Sequence, residues 1–494
     1  MKEIHRAPAD KSKSRQNKIK KSAAGVPAII STSKHGLKKM GLIRTLKTLS
    51  LVNQKEGFDC PGCAWPDPDD ERTMFEFCEN GAKAVADEAM KKKLNAKFFS
   101  KYSILELSKK SDFWLNNQGR LTAPMYKKTN SSHYEEISWE RAFEIISQKL
   151  IQLENPDEAI FYTSGRTSNE AAFLYQLFVR SFGTNNLPDC SNMCHESSGS
   201  GLTETIGIGK GTVELDDFEK SSLVVVMGQN PGTNHPRMLS ALEKTKKNGG
   251  KIIHVNPLPE AGLVRFKHPQ DYMKLSFKST KLADLHLPVK INGDVAFMKG
   301  IGKYLLLKNS EGLYDFDDEF ISNKTKNFDS YVKSINNTKW EDILKGSGLD
   351  KKSIEDAGEL FSKSKSIIIC WAMGLTQHVN GVDNVKEAVN LLLLGGNFGR
   401  DGAGVCPVRG HSNVQGDRTM GIWEKPKKEF LNSLERRFGF KPPHKHGFDT
   451  VDSIKAMNEG GIKVFFALGG NFISATPDTD FTAESIRKTK LSVQ

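Results

Sequence analysis

The stretch CPGCAWPD at residues 60–67 sets two thiols, Cys60 and Cys63, at the CxxC spacing that lets neighbouring cysteines share one metal centre or one disulfide. A further cysteine, Cys78, follows in CENG, and Asp67 stands where a four-cysteine cluster motif would carry a thiol. These residue types suit a zinc site, a thioredoxin-like redox pair, or an iron–sulfur site lacking one thiol. Spacing alone leaves all three open, together with a purely structural role.

Cys194 points to a different chemistry. It lies in LPDCSNMCHESSGSGLTETIG, a polar loop that also holds Cys190, and is followed by His195 and a helix-like run of small residues. A thiol beside an imidazole and near a helix N-terminus has reason to be a thiolate, the form that binds metal or attacks an electrophile. Its bland alternative is a small residue filling space. Residues 402–421, GAGVCPVRGHSNVQGDRTMG, gather Arg409, His411, Asn413, Gln415, Asp417 and Arg418 with little apolar content, as a segment lining a site would. Arg409 offers a planar, permanently charged fork to a carboxylate or other oxyanion. Cys370 and Cys406 stand in apolar or Gly/Pro-rich surroundings and are read as structural.

These residues must be carried by a repeated unit. Four stretches, AIFYTSGRTSNEAAFLYQLF, SLVVVMGQNPGTNHPRMLSALEKT, SIIICWAMGLTQHVNGVDNVKEAVNLLLL and KVFFALGGNFISATPDTDFTAESIRKT, each run from apolar strand through polar loop to amphipathic helix. Short continuous Val/Ile/Phe runs are expected of parallel strands covered on both faces. A loop that leaves such a strand and opens a helix presents free N–H groups and the positive end of a dipole, a place for phosphate. None has the GxGxxG spacing, so an ordinary NAD fingerprint is absent. Four loops of this kind suggest one or two large phosphate-bearing cofactors.

Composition narrows the class. At 494 residues, with 37% hydrophobic and 26% charged residues, the chain should form more than one core. No apolar run approaches the roughly 20 residues that span a bilayer. Residues 1–50 hold 13 Lys/Arg and 2 Asp/Glu, so most of the net charge of +12 belongs to an N-terminal arm. The arm is expected to be disordered and has no apolar h-region or twin arginine, and the remainder is close to neutral. A groove-reading nucleic-acid protein is therefore not expected, and a cytoplasmic location is. The piece LKKMGLIRTLKTLSLV could dock onto the body or another surface.

Together the motifs FDCPGCAWPDP, NMCHESS, GQNPGTNHPRM, MGLTQHVNGV, RGHSNVQGDRTMG and ALGGNFISATPDT resemble, in order, the molybdopterin oxidoreductase superfamily of the DMSO reductase type, in its formate-dehydrogenase-like branch. The resemblance runs from about residue 57 to the chain end. It implies an α/β fold: a basic arm at 1–56, a small iron–sulfur domain at 57–130, and two interleaved doubly wound lobes at 131–189 with 412–494 and at 190–411. The first lobe is expected to be truncated where LSVQ begins a further strand, and the family's β-barrel cap to be absent from this chain.

The resemblance also implies cofactors and roles. Molybdenum (or tungsten) is held by two molybdopterin guanine dinucleotides, with Cys194 as its protein ligand. His195 corresponds to the neighbouring proton acceptor and Arg409 to the arginine that orients formate. Cofactor contacts fall at Gln229, Asn230, Gly232, Thr233, Asn234, Gly374, Gln377, Asn413 and Gln415. A [4Fe–4S] cluster falls to Cys60, Cys63 and Cys78, with Asp67, another group or nothing on the fourth iron. The sequence departs from the family at Asp67, at Asn80, where a lysine is common between cluster and pterin, and at His411, where formate enzymes place Gln after the arginine. The implied function is two-electron oxidation or reduction of a small anionic substrate, formate by analogy, with electrons leaving to a partner that stays unknown. The alternative is a cofactor-binding redox scaffold without turnover of its own.

Overall fold

The structure, a computed structural model, describes residues 20–494 apart from 71, 272, 274, 276 and 277. Helices α1 (Val26–Met40) and α2 (Leu42–Leu49) meet at Gly41, whose φ of 75° turns the chain, and pack against α3 (Glu79–Glu88). Ala23–Ala24 pairs in parallel with Phe266–Lys267. The expectation of a disordered arm through residue 56 is thereby corrected over residues 20–56, while residues 1–19 lie outside the described residues. The reason is a set of apolar side chains, Ala28, Met40, Leu49 and Val52, that are buried among their neighbours while most lysines stay outside. Lys39 pairs with Asp87, and Arg44 Nη1 donates to the Ala89 carbonyl at 3.0 Å, tying the pair to α3.

Four strand–loop–helix units form further along the chain. Strand β1 (Ala159–Thr163) leads to α4 (Asn169–Phe182), capped by Ser168 Oγ. Helix α5 (Glu196–Ile206) precedes β2 (Leu223–Met227), which leads to α6 (Met238–Lys247) and β3 (Lys251–Val255). Then come β4 (Leu285–Leu287), α7 (Asp294–Ser310), β5 (Ile367–Trp371), α8 (Gly381–Leu394) and β6 (Gly404–Pro407). Finally β7 (Val464–Leu468) leads to α9 (Thr479–Arg487) and β8 (Leu491–Val493).

Two parallel sheets result. The larger runs β4-β3-β2-β5-β6 and the smaller β8-β7-β1. Alternate residues of the large sheet enter different cores: Val225, Ile253 and Ile369 pack on one face, and Val224, Ile252 and Ile368 on the other. Both faces are buried, which explains continuous rather than alternating apolar runs. Each such side chain contributes about 1.5–3 kcal/mol on burial. The fold is mixed α/β. Cys370 and Cys406, register partners on β5 and β6, pack within it. Among the described residues no helix is long and apolar enough to cross a membrane.

Candidate active site

The loop bearing Cys60 and Cys63 has little regular structure and is held by a neighbour, Asn53, which is buried at φ 55°. Cys60 N–H donates to Asn53 Oδ1 at 2.7 Å, and Asn53 Nδ2 donates to the Glu76 carbonyl at 2.7 Å. One amide thus clamps the segment before Cys78 to the segment at Cys60. Cys78 caps α3, its sulfur accepting from Gly81 N–H at 3.4 Å. A Cβ at Gly81 would lie 2.8 Å from Cys60 Sγ and 3.8 Å from Cys78 Sγ, so only glycine lets both sulfurs approach. Backbone N–H groups of Gly62 and Trp65 favour the thiolates of Cys60 and Cys63, but burial dominates and pushes all three thiols up, Cys78 to about 12. Among the described residues no three His, Cys, Asp or Glu side chains are set to hold a single metal ion.

Asp67 is engaged elsewhere. Arg237 Nη1 donates to its Oδ1 at 2.6 Å, and Arg237 Nη2 donates to Glu76 Oε1 at 2.6 Å. Asn80 Nδ2 donates to the Thr233 carbonyl, joining α3 to the loop after β2.

The second centre gathers where β2, β5 and β6 end. Cys194 follows a short 3₁₀ turn, Cys190–Met193, and its thiol lies 3.4 Å from Met373 Sδ. Burial raises the Cys194 pKa, opposed by the Gly410 N–H and the Arg409 charge. Arg409 is itself 8% exposed; its Nη2 donates to the Gly209 carbonyl at 3.0 Å, and its Nη1 has no partner. His235 Nε2 donates to the Arg409 carbonyl at 2.9 Å and so fixes that backbone.

His195 is buried and neutral: desolvation, then the charges of Arg409 and His235, push its pKa down to about 3. Trp371 Nε1 donates to Ser198 Oγ at 2.9 Å, and Ser198 Oγ lies 2.9 Å from His195 Nδ1. The indole can only donate, so Ser198 Oγ accepts from it and meets His195 Nδ1 with its second lone pair or its own hydrogen. His195 Nε2 is buried without a hydrogen bond.

One cavity of about 820 Å³ runs from the three cysteines to the loops that follow β2, β5 and β6; Cys194, His195 and Arg409 are not among its lining residues. Cys60, Cys63 and Cys78 line one end, and Gly228, Gly374 and Gly410 line the other. Gly374 N–H donates to the Gly228 carbonyl at 3.0 Å, and a Cβ at Gly374 would lie 2.6 Å from Gly228 Cα. Gly228 has φ 55°. Glycine is required at both strand ends for that approach.

The model of one family, molybdopterin oxidoreductase, matches residues 120–493. The chain belongs to the molybdopterin oxidoreductase family. It is 52% identical over 477 residues to an uncharacterized oxidoreductase of Mycobacterium tuberculosis, covering 96% of this chain and 61% of that protein. It is 45% identical over 478 residues to protein YdeP of Escherichia coli, covering 96% and 63%. The chain therefore spans about three fifths of these relatives' length. Among solved structures, acetylene hydratase from Pelobacter acetylenicus superposes with a TM-score of 0.56 at 18% identity, over 75% of this chain and 52% of that one, a likeness of fold.

The residues fit the group that the family implies. Arg409 Nη1 is a buried donor without a partner near Cys194, and native proteins rarely leave such a group unpaired unless something else is to meet it. The three thiols have backbone N–H donors, and the Arg237 charge acts on Cys60 and Cys63; both favour the thiolates that a cluster needs.

The other expected cofactor residues divide. Thr233, Asn234 and Gly374 line the cavity. Gln229 is buried with Nε2 on His235 and Met238 and its Oε1 unpartnered. Asn230 joins Thr233 N–H to Glu260, Gly232 packs against Gly262, and Gln377 Nε2 donates to the Met193 carbonyl at 2.7 Å. Asn413 Nδ2 donates to the Thr167 carbonyl at 2.6 Å, and the Gln415 carbonyl accepts from Thr419. His411 lies beside Cys190, not in the cavity lining. The residues that sequence reasoning missed are Asn53, Ser198, His235, Arg237 and Trp371. Only Ser198, one helical turn after His195, and the HPR of residues 235–237 carried a local signal.

Proposed function

We propose that the protein is a molybdenum-dependent oxidoreductase of the formate dehydrogenase type, acting on a small anionic substrate at a bis-molybdopterin guanine dinucleotide centre. The observation that carries this is Arg409: a buried guanidinium with one arm fixed and one arm free, beside a cysteine that its charge helps to ionise. When bound, the molybdenum centre supplies the two-electron redox change. Cys194 would be its protein ligand. Arg409 would hold the substrate carboxylate through Nη1, in a pocket where water is excluded and a charge-assisted hydrogen bond is strong. Formate oxidation releases two electrons and one proton. His195, buried, neutral and held at Nδ1 by Ser198, would take up that proton on its imidazole.

Cys60, Cys63 and Cys78 would hold a [4Fe–4S] cluster at one end of the 820 Å³ cavity and pass electrons to a partner. The interleaved layout, 57–130 for the cluster domain and 131–189 with 412–494 against 190–411 for the lobes, is part of this reading. It is supported by the division of strands between the two sheets.

The test is metal analysis of full-length protein from cofactor-competent cells, followed by formate-dependent dye reduction. Stoichiometric molybdenum or tungsten with reduction, lost in Arg409→Gln while the metal stays, is expected. Metal-free protein contradicts the reading. Metal-loaded protein that turns over no small anion favours the scaffold alternative, which the Asp67–Arg237 pair at the missing thiol position motivates.

A further inference from the structure

We infer that Asp67 is not a ligand of the iron–sulfur site but one half of an ion-pair clip, and that the site is a three-thiolate cluster whose fourth iron carries only an exchangeable small ligand. This rests on the assignment of Cys60, Cys63 and Cys78 to a [4Fe–4S] cluster.

The position of Asp67 in the sequence invites the opposite view, since a carboxylate can replace a thiolate on iron. Its surroundings decide otherwise. Asp67 Oδ1 lies 2.6 Å from Arg237 Nη1, and Arg72 Nη1 stands 4.0 Å from Oδ2. Arg72 is itself fixed on the carbonyls of Asn53 and Pro68 at 2.8 and 2.9 Å. The other arm of Arg237 is committed to Glu76, whose second oxygen accepts from Thr73 N–H and Oγ1. The Asp67, Arg237 and Glu76 side chains are each 13–17% exposed. Iron on Oδ1 would strip the largely buried Arg237 of one of its two acids, and iron on Oδ2 would be set against the Arg72 guanidinium. The clip instead ties the cysteine loop to the loop after β2, on the wall of the cavity. Glu76 is occupied in the same way. Asp59, the acid before Cys60, is exposed to solvent.

An iron held by three sulfides and no side chain is the one lost on mild oxidation. The step balances as [4Fe–4S]²⁺ giving [3Fe–4S]⁺, one Fe²⁺ and one electron, with ferricyanide as the one-electron acceptor.

The experiment uses full-length protein, wild type, Asp67→Asn and Asp67→Cys, reconstituted without oxygen with iron and sulfide. Iron and sulfide are assayed first, then again after ferricyanide and desalting, with EPR on each sample. Wild type and Asp67→Asn should both lose a quarter of their iron, develop the [3Fe–4S] signal, and take back one ⁵⁷Fe per cluster on reduction, seen by Mössbauer spectroscopy. Asp67→Cys should keep its iron. If wild type keeps all its iron and Asp67→Asn loses a quarter, Asp67 is the ligand and the inference falls. If both keep it, another side chain completes the site and the inference also falls. Should Asp67→Asn not fold, retention of iron by oxidised wild type is enough to overturn it. A chain that takes up no cluster overturns the underlying assignment instead, a result visible in the assay before oxidant is added.

Discussion

Arg409 and Arg418 belong to one polar segment after β6, the first in its loop and the second on the short helix Val414–Thr419, yet they are treated in opposite ways. Arg418 donates from Nε and Nη2 to the two oxygens of Asp189 at 3.0 and 2.8 Å, and from Nη2 to Glu196 at 2.9 Å. Arg409, as deeply placed, has one backbone carbonyl and one arm with nothing. Arg237 repeats the first pattern near the cysteines. Burying a charge is costly unless it is paired, so a satisfied arginine holds its own protein together and an unsatisfied one awaits a ligand. The type of residue is the same; what surrounds it separates scaffold from site.

The largest effect should come from breaking the satisfied arginine. Arg418→Met leaves Asp189, whose side chain is 1% exposed, without its partner, and should cost roughly 3–5 kcal/mol in urea unfolding. Equal losses at Arg418 and Arg409 would erase the contrast. Next is the glycine contact that shapes the cavity. Gly374→Ala forces a methyl to within 2.6 Å of Gly228, so about 1–3 kcal/mol should be lost together with cofactor content.

A smaller, pH-dependent effect lies beside Arg418. Asp417 Oδ2 is buried without a partner, and burial, then the charge of Asp189, raise its pKa to about 8. The folded chain thus favours the protonated acid. The stability this gives is full below the ordinary carboxylate pKa and is lost as pH rises through about 8. Asp417→Asn should flatten the thermal-stability profile across that window; an unchanged slope would mean the acid is charged in the fold. The smallest loss of stability is expected at Arg409→Gln, because no carboxylate loses a partner and an unpaired buried charge is removed.

Much of this arrangement could be read from the sequence, for definite reasons. The runs at 223–227 and 367–371 had to be strands buried on both faces, because only that environment takes five apolar residues in succession. The thiols at 60 and 63 were visible from their spacing, but their approach to Cys78 depends on Asn53 and on a missing Cβ at Gly81, which no local pattern announces. The family resemblance placed cofactor contacts at Asn230, Gln377 and Asn413. Their amides instead satisfy loop backbone or neighbouring side chains, as tightly folded loops require. The Trp371–Ser198–His195 chain joins residues 173 positions apart and was invisible. The lysine-rich segment at 20–49 misled through its charge, because a few residues such as Ala28, Met40 and Leu49 are buried against the body while Lys34, Lys38 and Lys47 stay outside.

The central claim is the bond from Cys194 to the metal. Molybdenum K-edge X-ray absorption on full-length wild type and Cys194→Ser, each purified from cofactor-competent cells, tests it most directly. The account predicts one fewer sulfur neighbour at the metal in the serine variant, with the remaining sulfurs unchanged. An identical sulfur shell in both proteins would contradict it.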